Sequence, residues 1–208
     1  MTSTEVVLNG LDSTTAWQEA LYVHLHQNPE LSLLETQTAA EIAERLRSFG
    51  YEVQHIGGGV VGVLANGEGR TVLVRADIDG LPVVEATGLT YASTKTAVDA
   101  TGATVGVMHA CGHDVHITAA LGAAQLLANA RDAWSGTYLA VFQPAEETAA
   151  GARAMVSAGL VDRVPKPDVA FAQHVLAAPP AGEVATASGP VAAPQPTLAD
   201  LPALIEEV

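Results

Sequence analysis

From Thr71 onward, short β-branched runs alternate with helix-length segments, and this alternation constrains the fold more than any other feature of the chain. Runs over 71–78, 137–143 and 169–173 read as strands. The Ala- and Leu-rich segments between them, over 115–130 and 149–158, read as helices, with Pro144 stopping the middle strand and Gly159 capping the second helix. The order β, α, β, α, β demands crossover connections. The expected class is therefore α/β, a mostly parallel mixed sheet with helices on both faces.

Upstream, Trp17, Leu21 and Leu25 recur at helical spacing over 13–27, and Pro29 closes the segment. Ser32-Leu33-Leu34-Glu35 has the S-x-x-E form of a capping box and predicts a second helix through Ala39, Ile42 and Leu46, ending at Gly50. Two further strands are expected over 51–55 and 60–65, the latter joined to 71–78 by the turn Asn66-Gly67-Glu68-Gly69. The Gly- and Thr-rich stretch over 81–107 has no clear period and reads as a long loop. Beyond Ser188, Pro190, Pro194, Pro196 and Pro202 punctuate a tail in which only 198–208 could form a short helix.

Composition supports the class and narrows the partners. Hydrophobic residues make up 49% of the 208 but aromatics only 4%, so the core must be filled by Ala, Val, Leu and Ile, which suit helix packed on sheet. Nine basic residues face 23 acidic ones, a net charge of −14 with no Lys/Arg cluster, which argues against nucleic acid and anionic membranes. A single cysteine makes no internal disulfide, the N-terminus lacks a charged segment followed by an apolar one, and no apolar run approaches a membrane span. A cytoplasmic location is expected.

Chemistry concentrates in three places. In Met108-His109-Ala110-Cys111-Gly112-His113-Asp114 a thiol and an imidazole flank a glycine just before a helix, where the flexible Gly112 lets both turn toward one point and the helix N-terminus favours a thiolate. Glu146 and Glu147 follow the middle strand, placing two carboxylates at the carboxyl end of a parallel strand. Adjacent side chains diverge, so one can hold a metal while the other faces its water. His174 ends the last strand. Taken singly, each has a plain reading as a packed cysteine, a solvated acidic pair or a structural histidine. Together, thiolate, imidazole, carboxylate and imidazole suit zinc or a similar transition metal and disfavour magnesium or calcium.

Asp77 and Asp79 close the strand over 71–78 on one face. Asp79 is a candidate for orienting a ligand or a bridging water, whereas Asp77 could equally form a surface ion pair with Arg75. His109, Asp114 and His116 flank the site as outer-layer candidates, and His24, His26 and His55 are given no role.

At these residues the chain resembles the hippurate hydrolase and auxin-conjugate hydrolase branch of the dinuclear metal amidohydrolases, relatives of aminoacylase and bacterial carboxypeptidases. The likeness runs through Asn28-Pro29-Glu30-Leu31-Ser32, Arg75-Ala76-Asp77-Ile78-Asp79-Gly80-Leu81-Pro82, His109-Ala110-Cys111-Gly112-His113-Asp114, Gln143-Pro144-Ala145-Glu146-Glu147 and Gln173-His174. It implies metal ligands Cys111, His113, Glu147 and His174, a general base at Glu146, and cleavage of the amide of an N-acyl amino acid or related peptide-like substrate by a water on the metal. Family members continue beyond the segment resembling Ala187-Ser188-Gly189-Pro190 into a lid and dimerisation domain and return with one more histidine ligand. The expected organisation is accordingly an incomplete catalytic domain over 1–189 and a Pro-rich tail over 190–208. The expected cofactor is zinc, manganese, cobalt or nickel, two ions in an intact site and one here, and the usual route to a homo-oligomer is missing. Two other readings stay open, a non-catalytic relative that keeps the metal-binding fold and a thiol hydrolase with Cys111 as nucleophile.

Overall fold

A computed structural model of the chain describes residues 2–176. The Pro-rich tail, its short helix and the boundary at 189/190 lie outside the described residues. Helices α1 (Ser3–Leu8), α2 (Leu11–Gln27) and α3 (Thr36–Ser48) come first, followed by strands β1 (Glu52–Ile56), β2 (Gly59–Asn66) and β3 (Thr71–Asp77). A small hairpin, β4 (Thr96–Val98) and β5 (Thr104–Gly106), lies within the segment expected to be loop. Then come α4 (His113–Asn129), β6 (Gly136–Gln143), α5 (Gly151–Ser157), α6 (Leu160–Arg163) and β7 (Val169–Ala172).

The main sheet has the order β1-β2-β6-β3-β7. β6, β3 and β7 run parallel, and β2 is antiparallel to both β6 and β1, so four of the five strands point one way and only β2 opposes them. β2 and β6 are buried along nearly their whole length, as strands covered on two faces must be. α2, α3 and α4 cover one face, where Ile42, Leu46, Ile117 and Leu121 meet Val60, Leu64, Ala76 and Phe142. α5 and α6 cover the other, with Met155 and Leu160 on Ile56, Val61, Leu73, Leu139 and Val141.

Local sequence explains the helices. α3 places Ala39, Ile42, Ala43 and Leu46 on one stripe, and each is buried. Ile42 and Leu46, fully removed from water, contribute about 2 kcal/mol each. Gly50 ends the helix at φ +87°, the left-handed conformation that glycine adopts without penalty. The expected capping box is not formed. Glu35 sits at the N-cap without a side-chain cap bond, and the Glu30 carboxylate instead accepts the N–H groups of Gln37 (3.1 Å) and Thr38 (2.8 Å). A longer reach from the preceding loop replaces the local cap because Ser32 and Glu35 are engaged elsewhere.

Candidate metal centre

The crossover topology brings the carboxyl ends of β3, β6 and β7 to one edge, with Asp77 in register with Gln143 and Arg75 with Ala172. Asp79, Glu146, Glu147 and His174 all leave this edge, the usual ligand side of a parallel sheet. The N-terminus of α4 meets it with Cys111 and His113. Between them Gly112 takes φ +78°, and a side chain there would run into Val175, so the turn that aims thiol and imidazole together requires glycine. Backbone bonds lace the loops into one platform: Gly80 N–H to Glu30 O (2.7 Å), and Leu81 and Met108 exchanging bonds of 2.9 and 3.0 Å.

Hydrogen bonds fix the tautomers. His113 Nδ1 lies 2.9 Å from the Asp79 carbonyl and 3.2 Å from its carboxylate, both acceptors, so Nδ1 carries the proton and Nε2 presents a lone pair. His174 Nδ1 likewise donates to Val175 O at 2.7 Å, leaving Nε2 3.4 Å from Cys111 Sγ. Asp79 is held in turn by the Ser32 hydroxyl (2.6 Å) and the Glu147 backbone N–H (3.0 Å).

Carboxylates crowd around the His113 ring. His113 Nε2 lies 3.5 Å from Asp77, 3.7 Å from Glu147 and 3.9 Å from Glu146. Burial of His113 opposes its protonation, yet Asp79 and Asp77 outweigh burial and raise its pKa. Glu147 is also raised, by burial first and by Glu146 and Asp79 next, against the pull of His113. Burial and the charges of Glu147 and Glu146 push the Cys111 thiol up to about 11. These act against the lowering that the helix N-terminus favours. A divalent ion among these groups inverts that balance.

The donor set fits such an ion. His113 Nε2 and Glu147 Oε1 are buried without a hydrogen-bond partner, and an orphaned imidazole lone pair facing an orphaned carboxylate oxygen is costly unless a cation sits between them. Donor atoms converge in the sets Cys111, His113, His174 and His113, Glu146, Glu147. A third set, Asp77, His113, His116, is closed already. His116 Nδ1 donates to Asp77 at 2.5 Å and its Nε2 accepts the Val175 N–H at 2.9 Å, while Arg75 Nη1 donates to the other Asp77 oxygen at 2.7 Å.

Residues 73–198 match the peptidase family M20/M25/M40. The chain belongs to this family. It is 39% identical over 195 residues to thermostable carboxypeptidase 2 of Saccharolobus solfataricus, covering 91% of this chain and 47% of that relative. It is 43% identical over 159 residues to the hippurate hydrolase of Campylobacter jejuni, covering 75% of this chain and 38% of that enzyme. Its fold matches a dinuclear metal-binding M20 peptidase of Bacillus subtilis with a TM-score of 0.67 and 35% identity, over 78% of this chain and 43% of the other. The chain thus spans less than half the length of these relatives.

In this M20 chain the structure brings together every site residue expected from sequence, Cys111, His113, Glu146, Glu147, His174 and Asp79, and it revises the surroundings. The Arg75–Asp77 pair is buried, with Asp77 1% exposed, and not on the surface. Burial opposes the charge on Asp77, but the His116 bond and the Arg75 guanidinium hold its pKa well below the usual range. Glu35 is buried and accepts the Ala145 N–H at 2.6 Å, fixing the backbone ahead of Glu146. His26, given no role, is buried between Asp114 (2.7 Å) and Glu85 (3.1 Å). The S-x-x-E spacing hinted at Ser32 and Glu35 but pointed to a different partner, and Ser32 also ends the Asn28–Ser32 motif of the resemblance.

Proposed function

We propose that this chain forms the metal centre of an amidohydrolase that cleaves the amide bond of N-acyl amino acids or related peptide-like substrates, with Glu146 as general base. The observation that carries this reading is the pair of orphaned buried atoms, His113 Nε2 and Glu147 Oε1, 3.7 Å apart with Glu146 beside them. The names of the relatives, carboxypeptidase, hippurate hydrolase and N-acetylcysteine deacetylase, are those of enzymes that hydrolyse a peptide or amide bond.

Cys111, His113, Glu147 and His174 would hold zinc, manganese, cobalt or nickel, which supplies Lewis acidity toward the carbonyl and makes water a nucleophile near neutral pH. Glu146 takes the proton of the attacking water and delivers it to the leaving amine nitrogen. Asp79 keeps His113 in the tautomer whose Nε2 is free, and through the Glu147 N–H it keeps the two glutamates in register. The Cys111–His174 contact would also suit a thiol nucleophile with an imidazole base, but that reading leaves the two orphaned atoms unexplained.

Glu146→Gln should abolish hydrolysis of a panel of N-acyl amino acids while leaving metal content unchanged, since the amide keeps the shape and cannot accept a proton. Glu147→Gln should lower metal content. Metal analysis alongside the rates decides the matter, and equal metal loss in both variants would defeat these roles. Loss of activity on chelation, restored by added metal, separates this chemistry from a thiol mechanism, which would be lost on alkylation alone.

A further inference from the structure

His174 reaches the metal centre from beyond the end of its strand. The ladder between β7 and β3 closes on the pair Arg75–Ala172, so His174 lies two residues past the last paired residue of an edge strand. His174, Val175 and Leu176 are all exposed. A ligand on so open a segment is ordered at a cost in conformational entropy each time a metal binds, unless a contact already holds it.

One side chain supplies that contact. Among the described residues, the one hydrogen bond that ties the backbone of 174–176 to another segment runs from Val175 N–H to His116 Nε2, at 2.9 Å. The carbonyl of the same Val175 accepts His174 Nδ1–H at 2.7 Å. The His116 ring also packs edge-on against that of His174, with centroids 4.6 Å apart and planes at 71°. His116 thus touches the ligand ring and fixes the residue whose carbonyl sets its tautomer.

His116 can do this because it is itself held. It stands in the first turn of α4, 1% exposed, and its Nδ1–H donates to Asp77 at 2.5 Å, which leaves Nε2 bare to accept. Arg75 Nη1 donates to the other Asp77 oxygen at 2.7 Å and Arg75 Nε to Gln143 at 3.0 Å. The chain of bonds runs from β6 through β3 and α4 to the segment after β7, and all four of these side chains are buried. A buried ion pair adds little net stability, since desolvation offsets its attraction. What this one supplies is a fixed geometry at the end of the chain, and that end is the Val175 amide.

We propose that His116 is a positioning residue for the metal centre: it holds His174 in place through the Val175 amide, with Arg75 and Asp77 fixing its tautomer from behind. The inference rests on the metal-centre reading and gives a role to the histidine that stands beside the ligands without joining them.

The test is a double-mutant cycle on the zinc affinity of the 208-residue chain, read by competition with a chelator. His116→Leu removes the acceptor and should weaken zinc binding by about ten- to a hundredfold. His174→Ala should weaken it too, and in that background His116→Leu should add almost no further loss. The full loss repeated there, as a general loosening of the fold would give, overturns the proposal, and so does an unchanged affinity in His116→Leu alone. Should His116→Leu not fold, the nitrogen-15-labelled, zinc-loaded parent chain reports directly: the Val175 amide nitrogen must show scalar coupling to His116 Nε2 across the hydrogen bond, and its absence refutes the contact. A parent chain that binds no zinc would sink the metal-centre reading and this inference with it, whereas tight zinc that His116→Leu leaves unchanged would sink only this inference.

Discussion

At the residue scale, the centre depends on side chains whose second atom is already committed. His113 and His174 each spend Nδ1 on a carbonyl and so present Nε2, whereas His116 spends both nitrogens and drops out as a ligand. Sequence spacing cannot make this distinction, because His113 and His116 are equally plausible donors until their partners are seen. Cys111 is the most exacting position. Its thiol sits 3.4 Å from His174 Nε2 and is held protonated by burial and the neighbouring glutamates, so metal binding must displace a proton. Cys111→Ser should lower zinc affinity by about tenfold or more, since a hydroxyl is a far poorer ligand than a thiolate. Competition with a chromogenic chelator measures it, and an unchanged affinity would make Cys111 a packing residue.

At the element scale, the strand and helix order over 71–173 is legible because burial on two faces imposes apolar runs and crossovers impose amphipathic helices. The tie of the loop over 81–107 to α2 and α4 is not legible, because it runs through a buried histidine: His26 is clasped by Asp114 and Glu85, with Tyr22 and Tyr91 packed on its ring. Burial alone would lower the His26 pKa, but the two carboxylates raise it above 6.5. The clasp is therefore fully present below the unfolded value of 6.5 and is lost as pH rises through the higher folded value. His26→Leu should destabilise the chain by about 2 kcal/mol at acidic to neutral pH, and the gap to wild type should narrow as pH rises. Urea unfolding across that range checks it, and a gap constant with pH would mean that the ring acts by packing alone.

At the scale of the whole molecule, both open donor sets draw on the one free nitrogen of His113, so two ions cannot each claim it. One tightly bound zinc per chain is expected, with a second weak or absent. At about a hundredfold excess over its Kd, zinc should stabilise the fold by about 2.7 kcal/mol and raise Tm by about 5–10 °C. Elemental analysis with thermal melts before and after chelation gives both quantities, and two tight ions or an unmoved Tm would reject the expectation. By itself the sequence determined the α/β class, the strands that converge and the clustering of Cys111, His113, Glu146, Glu147 and His174, because periodicity and strand-end position are local properties. Only the tertiary structure decided that Ser32 and Glu35 leave their helix cap to hold Asp79 and Ala145, and that Asp77 is closed off by Arg75 and His116. These are contacts between segments 39 to 110 residues apart, except for the Arg75–Asp77 pair, whose burial is likewise set by the packed sheet edge. Their partners are chosen by which buried polar groups would otherwise go unsatisfied, and that choice exists only once the chain has packed.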